Sequence, residues 1–210
     1  MRLELWFDYS CPYAYLASTQ AVALAARGGA ELAWKPFLLG GVFRANGTPQ
    51  NLSNVLSPQK AKHNLLDLHR WAALFDVPFN GFPSGHPYRT VEALRATLLV
   101  GVDPRVVHGF FRAYWIDGRA PSEPAVLREV LSAAGHDAGR VLARLEEPAL
   151  KDDLRARTDE AIALGIFGAP AWVVRTPAAS AEPRAPLLFW GQDRLEFVER
   201  ALAGWVPRAG

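Results

Sequence analysis

One cysteine and one methionine in 210 residues set the first limits. A lone thiol excludes an internal disulfide and a thiolate-rich metal site, and it fits a reducing compartment that supplies external thiols. Neither sign of charge is in excess: 23 Lys and Arg are scattered among 21 Asp and Glu, for a net charge of +2. No basic run of the kind that grips nucleic acid is present. No apolar run approaches the roughly 20 residues a membrane helix needs, and the opening MRLELWFDYS is too short and too acidic for a secretory signal, so a cytoplasmic location is expected. There is no internal repeat. What is present is half apolar and 21% charged, the composition of a globular chain long enough for a sizeable core. The expected partner is a small molecule.

The order of elements carries more than any one of them. Residues 3–7 form a short apolar strand, Pro12 stands where a helix begins, and residues 13–26 hold Ala and Leu at helical density before the stop at Arg27, Gly28 and Gly29. Residues 31–39 read as a second strand, completing a parallel strand-helix-strand unit whose active edge lies at the strands' carboxyl ends. Residues 40–58 read as loop. Helical periodicity then dominates through Gly165, and strand character returns at residues 171–175 and 187–190. The segment TPAASAEPRAP joins these two strands as an overlong, mobile hairpin loop, and an amphipathic helix over residues 194–203 closes the chain.

Cys11 falls at the active edge, directly before Pro12, in FDYSCPYAYLAS. A cysteine before the first helical turn meets unpaired N–H groups and the positive end of the helix dipole, which favour its thiolate and predict a titration below the ordinary thiol value. The competing reading is a small buried hydrophobe.

The stretch CPYA at a helix start, the long helical segment, GIFGAPAWVV and FWGQDRLEFVERAL together resemble the DsbA-like branch of the thioredoxin superfamily. More narrowly they resemble the 2-hydroxychromene-2-carboxylate isomerases and kappa-class glutathione transferases, a similarity that extends through KPFLLGGVFRANG (residues 35–47) and SPQKAKHNLLDLHRWAALFDVPF (residues 57–79). The resemblance implies an α/β thioredoxin-like fold with a large all-helical insertion: residues 1–40 and 166–210 form the thioredoxin-like part, and residues 41–165 the insertion. It also implies glutathione as cofactor, a small aromatic substrate and a homodimer.

Roles follow position by position. Cys11 stands where the isomerases have a serine that stabilises the glutathione thiolate. Disulfide oxidoreductases have a second cysteine three residues on, where this chain has Ala14. Ala169 and Pro170 match the cis-proline whose preceding backbone pairs with glutathione, the alternative being a trans proline opening an edge strand. Gln192 and Asp193 match the holders of the γ-glutamyl end, although Asp193 is equally a normal helix N-cap. Lys60 and Asn46 match groups that face an acidic substrate, against the alternative of solvated surface residues. His63 replaces a family tyrosine. His69, His86, His108 and His136 show no ligand spacing and read as structural, and no metal is expected. Phe43, Phe82 and Trp115 are candidates to line a cleft for a flat bicyclic substrate or to pack in the core. The implied reaction is isomerisation by reversible thiol addition to a conjugated alkene. The rivals are a monothiol glutathione-dependent oxidoreductase, a kappa-like transferase, and a binding module without catalysis.

Overall fold

The computed structural model describes residues 1–51, 55–176 and 185–206. Its centre is β1 (Arg2–Phe7), buried from Leu3 onward. On one side β1 pairs in parallel with β2 (Glu31–Pro36), and on the other it pairs antiparallel with β3 (Ala171–Arg175). A last strand, β4 (Leu187–Trp190), runs antiparallel to β3, giving the order β2-β1-β3-β4. A strand flanked on both edges and covered on both faces must be apolar throughout. Glu4 is the exception, and it is paid for locally: its carboxylate accepts from Arg175 Nε at 2.8 Å and from Trp6 Nε1 at 3.1 Å.

Between β1 and β2 runs α1 (Pro12–Arg27), with Cys11 in the N-cap position and proline in the first turn. It ends at Gly28, and Gly29 takes φ +58°. α1 packs against β1, β2 and the closing helix α9 (Leu195–Leu202). Among the described residues, seven helices separate β2 from β3 in the chain: α2 (Leu39–Ala45), α3 (Pro58–Leu74), α4 (Val91–Leu99), α5 (Pro104–Trp115), α6 (Pro124–Ala133), α7 (Ala138–Arg144) and α8 (Pro148–Ala163). Four of them, α3, α5, α6 and α8, begin with a proline whose missing N–H would have been unpaired in the first turn anyway.

Two expectations are corrected. The second strand stops at Pro36 rather than running to residue 39, and residues 39–45 are helix rather than loop. The cause is tertiary: the Leu38 N–H donates to Thr158 Oγ1 at 3.1 Å and the Leu39 N–H to Asp8 Oδ2 at 2.9 Å, drawing the chain off the sheet. Gly41 serves close helix packing, since a Cβ there would stand 2.9 Å from Thr158 Cγ2. Two other expectations fall partly outside the described residues, the hairpin loop at residues 177–184 and the loop at residues 52–54.

The insertion grips the end of β1. Tyr9, fully buried, lies 5.4 Å from the Phe110 ring and 5.0 Å from the Phe111 ring, and its carbonyl accepts from Trp115 Nε1 at 2.9 Å. The residues immediately before Cys11 are thus held by α5. At the other end of α1, Gly28 meets α9, where a Cβ would contact Leu202 Cδ1 and approach its Cβ to 2.8 Å. Leu202 is buried and has little room to yield. Gly28→Ala is therefore expected to lower stability by about 1–3 kcal/mol, read as a lower urea midpoint at an unchanged denaturant slope.

Candidate active site

Cys11 adopts extended backbone angles (φ −99°, ψ 116°), and its carbonyl accepts from Ala14 N at 3.1 Å and Tyr15 N at 3.2 Å, starting the helix. Its side chain does not cap the helix. The Sγ–H donates instead to the carbonyl of Ala169 at 3.0 Å, across 158 residues of sequence. The Ala169–Pro170 bond is cis, so the trans alternative does not hold. Pro170 in turn accepts from the Gly191 N–H at 3.0 Å, which brings the turn before Gln192 and Asp193 against the same segment. Cys11, Ala169 and Pro170, expected together from the sequence, are in direct contact, with Gln192 and Asp193 one turn beyond.

The acidity of the thiol is the main correction. Burial pushes Cys11 up to about 12, against the stabilising N–H groups of Ala14 and Tyr13 and with a further upward push from Asp8. The residue is 8% exposed. Helix-terminus effects are worth about 0.3–1 kcal/mol, up to about 2 in buried settings, whereas burying a charge shifts a pKa by up to about 3–5 units. Desolvation wins.

Gln192 is 6% exposed and makes no side-chain hydrogen bond with the described residues. Asp193 does not cap α9, a position taken by Arg194, but forms an ion pair with Arg194 at 2.5 Å. Tyr13 lies half-buried at the start of α1, its hydroxyl pushed up to about 12 chiefly by burial and further by Cys11, Asp67 and Asp193. It is the residue that connects the thiol, α3 and the turn before α9 electrostatically.

Lys60 and Asn46 stand apart. Both are exposed, Lys60 in the first turn of α3 and Asn46 as the C-cap of α2, and neither side chain makes a hydrogen bond or ion pair with the described residues. Phe43 and Trp115 belong to the core, while Phe82 is 43% exposed and meets the His86 ring at a tilt and the Trp115 ring edge-on, at 4.9 and 5.8 Å. His86 bonds Tyr114 and His136 bonds Asp103, as structural residues do. No group of His, Cys, Asp or Glu among the described residues is arranged to hold a metal ion. Two surface hollows, of about 270 and 290 Å³, lie along α5 and α6 and beside α7, and no residue of the Cys11 site lines either.

Sequence reasoning passed over two residues. Tyr13 sits inside the quoted CPYA but drew attention only as part of the motif. Asp8 is a carboxylate ending an apolar strand, a signal legible in FDYSC, and it is 1% exposed.

A family profile described as DSBA-like thioredoxin domain matches residues 2–203. A 2-hydroxychromene-2-carboxylate isomerase from Sphingobium xenophagum is 29% identical over 204 residues, covering 95% of this chain and 97% of the relative. Glutathione S-transferase kappa 1 of Rattus norvegicus is 26% identical over 208 residues, covering 93% and 88%. Among solved structures, a 2-hydroxychromene-2-carboxylate isomerase superposes with a TM-score of 0.79 at 25% identity, covering 97% of this chain and 95% of that one. A probable DsbA oxidoreductase from Streptomyces coelicolor gives 0.70 at 24% identity and supports the fold.

A thiol held protonated by burial reacts slowly with electrophiles. With Cys11 moved from 9.0 to about 12, iodoacetamide at pH 8 is expected to alkylate it at least ~100-fold more slowly than a free cysteine. The sign for stability follows: the unfolded chain releases this proton near 9 and the folded chain holds it to about 12, so stability is full below 9 and falls as pH rises toward 12. Urea midpoints at pH 8 and 10.5 check this, and Cys11→Ala is expected to flatten the decline.

Proposed function

The chain belongs to the DSBA-like thioredoxin domain family, and from that premise we propose that it is a glutathione-dependent isomerase that interconverts a 2-hydroxychromene-2-carboxylate and a benzylidenepyruvate-like compound. The observation that carries this reading is the buried, protonated Cys11 donating its S–H at 3.0 Å. An isomerase of this type needs a hydrogen-bond donor at that position, whereas a monothiol oxidoreductase needs a thiolate nucleophile. The names of the similar proteins support the same reaction class.

The residues present fit glutathione. Its peptide-like body suits the backbone of Ala169 beside the cis-proline. Its zwitterionic γ-glutamyl end, an ammonium beside a carboxylate, suits the adjacent Asp193 and Arg194 pair, with the unpaired Gln192 amide alongside. When bound, glutathione would supply the nucleophilic thiolate that adds to and leaves the conjugated alkene. The chain's own part is to hold and orient. Cys11 donates a proton-bearing S–H toward the ligand sulfur in place of Ala169 O, and the Tyr13 hydroxyl, kept protonated, is available as a second donor. Lys60 and Asn46, exposed on the helices α3 and α2, are proposed to meet the substrate carboxylate. The division into a thioredoxin-like part (residues 1–40 and 166–210) and an insertion (residues 41–165) is proposed to frame the cleft.

Three measurements test this. Calorimetric titration is expected to detect glutathione binding at or below millimolar concentration, and its absence there overturns the reading. Asp193→Ala is expected to weaken that binding by about 10- to 100-fold, the worth of a hydrogen bond to a charged group. Cys11→Ser is expected to retain or raise isomerisation, because a hydroxyl donates better than a thiol; an orders-of-magnitude loss, together with turnover of a glutathione mixed disulfide by the wild type, would favour the oxidoreductase instead.

A further inference from the structure

Asp8 is the most constrained charged group near the site and has no part in the chemistry above. Its carboxylate is 1% exposed, and its partners come from two separate segments. Oδ1 accepts from Ser10 N at 3.0 Å and Ser10 Oγ at 3.1 Å, within the turn that leads to Cys11. Oδ2 accepts from Leu39 N at 2.9 Å, at the first residue of α2. The Asp8 carbonyl, meanwhile, accepts from Cys11 N at 3.2 Å.

Every hydrogen-bond partner of the carboxylate among the described residues is a neutral donor, the arrangement that suits an anion. None is a lysine, arginine or histidine, so among the described residues this buried carboxyl has hydrogen bonds but no counterion. Such a charge is costly, and a turn can be shaped by neutral residues more cheaply. The titratable groups that sense it are Tyr9 in the same turn, Cys11 at the start of α1 and Tyr114 on α5, each pushed further toward its protonated form by Asp8.

We propose that Asp8 is a positioning residue for the site: its carboxylate clamps the β1–α1 turn to the start of α2, and its negative charge adds to burial in disfavouring a second charge on the Cys11 sulfur. Why the S–H form matters rests on the isomerase reading, where the sulfur must donate. The clamp and the charge themselves do not depend on it. Burial raises the Asp8 carboxyl above the ordinary carboxylate value, opposed by the hydrogen bonds it accepts from Ser10 and Leu39. The charge is therefore switched on only above that raised midpoint, and Asp8 and Cys11 titrate as a coupled pair.

The test is the rate of Cys11 alkylation by iodoacetamide as a function of pH in the intact protein. Asp8→Asn removes the charge at nearly constant volume but gives up one accepting oxygen of the clamp, and Ser10→Ala loosens the same turn while keeping the charge. At pH 9 the Asp8→Asn rate is expected to rise about tenfold, one pKa unit of thiol acidity, while Ser10→Ala changes it less than about twofold. Equal rates for Asp8→Asn and wild type, or an equal rise in both variants, would overturn the role of the charge. Where Asp8→Asn does not fold, the ¹³C carboxyl resonance of Asp8 in the wild type serves: an inflection that follows the thiol titration supports the coupling, and a flat signal overturns it. Failure of the isomerase reading shows separately, as wild-type protein that neither binds glutathione nor turns over the hydroxychromene carboxylate while the thiol rates still behave as stated.

Discussion

The 3.0 Å hydrogen bond from Cys11 Sγ to the Ala169 carbonyl is the contact on which the geometry of the site depends. It ties the turn after the central strand to the turn before β3, two segments 158 residues apart with the whole helical stretch between them. Each end of the bond is separately secured. Cys11 follows Tyr9, which is locked among the rings of α5, and Ala169 precedes a proline whose carbonyl holds the Gly191 turn. A donor that is short of strength but rigidly placed loses little entropy on meeting a ligand, which is why placement counts for more here than the weakness of a thiol as donor. Under the proposed function the ligand sulfur competes with Ala169 O for that one proton.

Two opposing effects meet at the sulfur, and their sizes decide its chemistry. The start of α1 offers N–H groups and a dipole that favour a thiolate, and the surroundings offer almost no water. Burial is the larger by a factor of several. Asp8 adds to the winning side from beneath the turn. A cysteine at a helix N-terminus is reactive when it is also near solvent or a cation; Cys11 has neither, so the same local motif yields a neutral donor.

This explains what the sequence could and could not reveal. The order of strands and helices was legible because proline starts, glycine stops and apolar runs are local signals, and Cys11, Ala169 and Pro170 come together because that order fixes which turns meet. The helix at Leu39–Ala45 was not, since two adjacent glycines read as loop until Thr158 and Asp8 are seen to seize the backbone before them. The acidity of Cys11 was read with the wrong sign for a similar reason. Position along a helix is written in the neighbouring residues, but burial depends on α5 and on β3, which are distant in sequence. Asp8 was visible as an acid at the end of an apolar strand, and its meaning depends on Leu39, which no local pattern connects to it.

The site consequently divides into two electrostatic regimes. Around the sulfur, the thiol and phenol groups are shielded from water and held protonated: Cys11, Tyr13 and, deeper, Tyr9 and Tyr114. One turn away, Asp193 and Arg194 form an exposed ion pair that solvent screens. In the proposed reaction recognition and chemistry need different surroundings. A zwitterionic ligand end is best met by charges that remain hydrated until it arrives, so that little desolvation is lost, whereas a developing or resident thiolate is stabilised most by fixed neutral donors in a medium of low polarity. A charged nucleophile of the protein's own beside that thiolate would repel it. A buried cysteine kept as S–H chiefly by desolvation avoids the repulsion and still offers a proton, which makes the replacement of a hydroxyl by a thiol compatible with the same chemistry.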